Sequence, residues 1–133
     1  MKNKDSVELI EYTKAQDALN CATHALGAIF GAAVLVLLIK KALPLGSARY
    51  TAAAVVYGLS IILLYGSSAV YHGLPRSEAK RTARLVDHSV IPILLAGTAT
   101  PCALITLYNH NKICCAAVLL LGWGSVLFGF IAK

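Results

Sequence analysis

The chain has 133 residues, 58% of them hydrophobic and only 14% charged, with a mean hydropathy of +0.71. Ordinary soluble domains hold about 45–50% apolar and 25% charged residues, so a water-facing fold could not hide this much apolar surface. The net charge of +6 would suit nucleic acid, but the Lys and Arg fall in short segments between hydrophobic runs without interleaved aromatics, which argues against that partner.

Read in chain order, positions 1–21 form an N-terminal tail and 22–133 a transmembrane domain. Lys2, Lys4, Asp5, Glu8, Glu11, Lys14 and Asp17 make the start too charged for the apolar region of a signal peptide, and no small-residue cleavage site follows. The first span is therefore expected to stay as an anchor. Positions 6–19 could form a short interfacial helix with Val7 and Ile10 on one face. Spans are predicted at 22–39, 51–71, 86–108 and 113–132, each near the roughly 20 residues that cross a bilayer core. Pro44 and Gly46, then Gly73 and Pro75, then the polar run 109–112 separate them. Loops this short make neighbouring helices antiparallel. The fold class is thus all-α, an integral membrane helical bundle.

Within the third span Pro92 and Pro101 predict a kinked helix, with neighbouring helices or the hydroxyls of Thr98, Thr100 and Thr106 expected to satisfy the freed carbonyls. Gly27 and Gly31 in the first span, and Gly122, Gly124 and Gly129 in the fourth, are expected to let helices approach closely. Cys21, Cys102, Cys114 and Cys115 contain no CxxC pair and are expected to be buried, reduced thiols.

Cations set the orientation. The tail and the second loop hold Lys2, Lys4, Lys14, Arg76, Lys80, Arg81 and Arg84, against Lys40, Lys41, Arg49 and Lys112 on the other side. The side richer in Lys and Arg faces the cytoplasm, so the protein is expected to be multi-pass with a cytoplasmic N-terminus.

Polar groups inside a bilayer are expensive and mark a partner or a function. Asp17, Asn20 and His24 are spaced i, i+3, i+7 and share a helix face. Tyr65, Ser68 and His72 repeat that spacing at the end of the second span, and Asp87 and His88 open the third. With antiparallel spans all three clusters fall in the cytoplasmic leaflet, which suggests one shared site. His, Asp and Ser there suit a zinc centre, in which imidazoles ligate the ion and a carboxylate orients its water. His72 would need two partners, and His24, Asp87 and His88 are the nearby candidates. Other readings compete. His24 and His88 near helix ends can be satisfied by headgroups and water, and Ser68 can bond the carbonyl one turn back. Ser67 is an equally available hydroxyl, and Asp87 can pair with Arg84. His110 belongs to a polar loop on the other face.

Three strings then become recognisable: Ser68-Ala-Val-Tyr71-His72, Leu85-Val-Asp87-His88-Ser-Val-Ile91, and Ala96-Gly97-Thr98-Ala99-Thr100-Pro101. Together with Asn20-Cys-Ala-Thr23-His24-Ala-Leu-Gly27, they resemble the hemolysin III family, which is related to the progestin and adipoQ receptors. The resemblance runs from about Asp17 into the fourth span. Two departures are Asp17, where a glutamate is expected, and Ala99, where the family commonly has an aromatic residue. The resemblance implies a seven-helix bundle of which this chain holds the first four helices. It also implies zinc bound by the second-span histidine, here His72, and by two histidines of a His-x-x-x-His motif in the seventh helix. By the same likeness Ser68 and Asp87 would surround the metal-bound water, as in membrane ceramidases. His24, Asn20, His88 and Asp17 would support them. No His-x-x-x-His occurs in this sequence, so the chain is expected to be a fragment or truncated form. Helices 5–7 on another polypeptide, or a homo-oligomer, would be its partners.

Three functions follow as expectations. The first is a zinc-dependent membrane hydrolase of a lipid amide or ester, incomplete in this chain. The second is a pore-forming or cytolytic channel, and the third a receptor-like or structural membrane protein.

Overall fold

The computed structural model describes residues 9–131 and contains four helices long and apolar enough to cross a membrane. The first, α1 (Lys14–Ala42), starts where Thr13 and Gln16 form a reciprocal capping box. Thr13 itself is extended, and residues 9–13 are not helical. The expected separate interfacial helix is therefore not formed over the described part of 6–19; Ser6 and Val7 lie outside the described residues. The cap instead starts one continuous helix at Lys14. Its 29 residues extend about 44 Å, more than the roughly 30 Å of a hydrocarbon core.

After α1, Pro44 sits in a single 3-10 turn (Leu43–Leu45) closed by Gly46 at φ 62, a left-handed conformation that favours glycine. Helix α2 (Ala48–Gly73) ends as Leu74 becomes extended before Pro75. Ser77 then caps α3 (Glu78–Pro101) by accepting from the Lys80 backbone N–H at 3.3 Å. The third crossing continues through a π-helical stretch (Cys102–Leu107) and a last turn (Tyr108–His110). Asn111 caps α4 (Lys112–Ile131), its Oδ1 accepting from the N–H groups of Ile113 and Cys114. Position 132, the predicted end of the fourth span, lies outside the described residues.

The helix runs through both prolines, and its local departure is the π widening directly after Pro101, a recognised way to absorb a disrupted ladder. Thr98 and Thr100 hydroxyls donate to Leu94 O and Ala96 O. These are not the carbonyls at His88 and Gly97, four residues before the prolines, which the expectation required. In both cases the hydroxyl reaches its own preceding turn first.

The helices pack in chain order, each against the next. A Cβ at Gly27 would stand 2.7 Å from the Tyr65 ring, and one at Gly31 2.7 Å from Ile61, while Gly58 receives Leu35. Falling positions on α2 thus meet rising positions on α1, an antiparallel hairpin held by close backbone approach. Gly97 seats Ser60 of α2 on α3, and the Trp123 indole donates to Thr100 Oγ1 at 3.1 Å to join α4 to α3. A Cβ at Gly122 would lie 3.6 Å from Ala96, but Gly124 and Gly129 face open space, because α4 has one packed side. The cysteines are all free. Only Cys115 is buried; Cys21 is half-buried and Cys102 and Cys114 are exposed, since an apolar run faces lipid as readily as protein.

Candidate functional site

The capped first turn of α1, the last turn of α2 and the first turn of α3 meet at one end of the molecule. The side chains they project there form a cluster around His72. Asp17 reaches across from α1, its Oδ1 2.9 Å from His72 Nδ1. Lys80, on the first turn of α3, donates from Nζ to Asp17 Oδ2 at 2.6 Å. Lys80 is 4% exposed and His72 9%. An isolated ammonium this deep would be costly, and the carboxylate offsets that cost through charge and hydrogen bonding together. The ion pair also ties α1 to α3, which are not adjacent in the row.

Aromatic rings enclose the imidazole. Tyr12 lies edge-on at 5.3 Å between centroids, His24 edge-on at 5.7 Å, and Tyr71 tilted at 4.7 Å. His24 in turn meets Tyr65 edge-on. The Lys80 ammonium lies 5.3 Å from the Tyr71 ring centroid, within cation–π range. Two buried polar atoms here, His24 Nδ1 and the Tyr71 hydroxyl, lack a hydrogen-bond partner among the described residues. Buried polar groups are rarely left so without a water, ion or ligand in attendance. A cleft of about 270 Å³ opens beside the cluster, with Tyr12, Asp17, Arg76 and Lys80 in its wall.

The structure therefore brings Asp17, His24 and His72 together. Ser68 is buried one turn before His72, and no hydrogen bond joins it to the cluster among the described residues. It is Ser67 that bonds back, to Leu64 O at 3.0 Å. Asp87 is half-buried on α3 and within electrostatic reach of the Tyr71 hydroxyl, as is Arg84. Arg84 and Asp87 form no ion pair with each other among the described residues. Asn20 is half-buried and His88 exposed, and among the described residues neither has a hydrogen bond or ring contact with His72. The sequence reading missed Lys80, although Lys80, Arg84 and Asp87 at i, i+4, i+7 form one polar stripe on α3 that points at the same end.

A zinc ion would find one well-prepared ligand in this arrangement. A ligating histidine commonly shares its second nitrogen with a carboxylate, as His72 does with Asp17. Among the described residues, however, no group of three or more His, Cys, Asp and Glu is placed to hold a metal ion. The donor set fits part of a zinc centre and does not complete one.

A family model described as Haemolysin-III related matches residues 12–133. The chain is similar to Hemolysin-3 of Bacillus cereus, 39% identical over 92 residues, which is 69% of this chain and 42% of that protein. It is also similar to a Hemolysin-3 homolog of Bacillus subtilis (strain 168), 32% identical over 122 residues, 92% of this chain and 56% of the relative. The chain spans about half the length of the curated relatives it matches. No solved structure matches it.

Proposed function

The chain belongs to the haemolysin-III related family, and from that premise we propose that its cluster is one wall of a zinc-dependent hydrolytic site for a lipid amide or ester. The observation that supports this is the part-buried Asp17–His72 pair, set beside a cleft with one imidazole nitrogen uncommitted. A bound zinc would supply Lewis acidity and a water of lowered pKa. His72 is the residue of this chain that would hold it, with Asp87 as the group orienting water and Ser68 a nearby hydroxyl. Lipid reaches the site from the bilayer, and the Lys and Arg balance favours a cytoplasmic tail and second loop.

A lytic or pore-forming role is the second reading, carried by the name hemolysin that both relatives bear. It gains no support from the cluster around His72, which sits at one end of the helices. Two assays separate the readings. The protein, extended through any downstream reading frame, should cleave a fluorescent lipid amide at a metal-dependent rate that His72→Ala abolishes, whereas the 133-residue chain should not cleave it efficiently. Dye release from liposomes without such cleavage would favour lysis instead.

A further inference from the structure

Asp17 has both oxygens engaged: Oδ2 accepts from the Lys80 ammonium at 2.6 Å, and Oδ1 stands 2.9 Å from His72 Nδ1. A carboxylate accepts and does not donate, so the hydrogen between Oδ1 and the ring belongs to Nδ1. We infer that Lys80 and Asp17 are positioning residues that hold the Nδ1–H of His72 on the carboxylate, so that in the neutral ring Nε2 carries the one available lone pair.

The surroundings make this assignment stable. Turning Nδ1 away from Asp17 requires the imidazole to rotate about Cβ–Cγ, and Tyr12, His24 and Tyr71 pack around it within 6 Å between centroids. The carboxylate itself cannot turn freely, because Lys80, 4% exposed, grips its far oxygen from the capped first turn of α3. The chain of contacts therefore runs from α3 through α1 to α2, and each partner restrains the next. A ring so held meets an incoming electrophile or metal with Nε2. The inference rests on the zinc reading only for what Nε2 then binds; the hydrogen position stands on the contacts alone.

Nitrogen-15 NMR of the histidine-labelled full chain in detergent micelles, with chelator present, tests it. The His72 signals, identified by their loss in His72→Gln, are expected to show Nδ1 as the protonated nitrogen and Nε2 as the bare one. Asp17→Asn and Lys80→Met should both lose that single form to a mixture with Nε2–H, while Asp17→Glu and Lys80→Arg retain it. A bare Nδ1 in the wild-type chain overturns the inference, as does an unchanged spectrum in Asp17→Asn. The wild-type spectrum needs no variant, so a misfolded variant does not shelter the claim. Because metal is excluded, this result and the fate of the zinc reading are independent.

Discussion

Asp17 serves two partners on two other helices, and the energetics of the polar end turn on it. Removing one member of a buried charged network leaves the others desolvated and unmatched, at a cost of about 1.5–3 kcal/mol for hydrogen bonds to charged groups. Lys80→Met and Asp17→Asn should each destabilise the chain by about that much in detergent unfolding. Their double mutant should cost less than the sum, with a coupling of about 0.5–3 kcal/mol. Additive losses would show that the 2.6 Å contact carries no energy. The shared face of Asp17, Asn20 and His24 was legible from spacing, and so was the register of Ser68 with His72. The choice among nearby groups was not. Lys80 is one of four cations in 76–84, and only the capped start of α3 at Ser77 selects it. Likewise Ser67 and Ser68 are adjacent, and the helix rotation sends Ser67 to Leu64 O and Ser68 inward. If Asp17 supports a ligand at His72, Asp17→Asn should also weaken zinc binding by the extended protein about 10–100-fold, read by chelator competition; equal affinity would remove it from the site.

The helices were legible from their apolar runs, because length and hydropathy alone decide what crosses a bilayer. Their ends were less so. Capping by Thr13 and Ser77 starts α1 and α3 eight residues before their predicted spans, and periodicity does not see caps. Which glycines matter also depends on who faces them. Gly27 and Gly31 meet Tyr65 and Ile61 as the small-residue reading expects, while Gly58 and Gly97 went unremarked although Leu35 and Ser60 occupy the space above them. A Cβ at Gly58 would fall 2.6 Å from the Leu35 side chain and 2.9 Å from its backbone. Gly58→Ala should therefore force α1 and α2 apart and cost about 1–3 kcal/mol. Gly124→Ala, with nothing within 4 Å, should be neutral or stabilise by up to about 1 kcal/mol through helix propensity. Thermal unfolding of both in one detergent checks the contrast, and equal effects would contradict the packing.

At the scale of the whole molecule, a row of helices concentrates polar chemistry at one end and leaves broad apolar faces, with Leu120, Leu121, Phe128 and Ile131 of α4 all exposed. The proposed orientation assigns that polar end to the cytoplasm. With the other cysteines replaced by Ser, Arg76→Cys should react with an impermeant thiol reagent only from the cytoplasmic side and Cys114 only from the opposite one. The reverse pattern would invert the topology. The family was legible because its motifs carry rare intramembrane polar residues in fixed order. A full ligand set was not, because His72 is the one metal ligand that the resemblance assigns to this chain.

The most direct measurement is the zinc-to-protein ratio of the detergent-purified chain beside that of the protein extended through any downstream reading frame, each with and without His72→Ala. Stoichiometric zinc is expected in the extended protein, with its loss in His72→Ala and substoichiometric zinc in the 133-residue chain. An extended protein that purifies without zinc and cannot take it up, or that keeps it after His72→Ala, would contradict the assignment of His72.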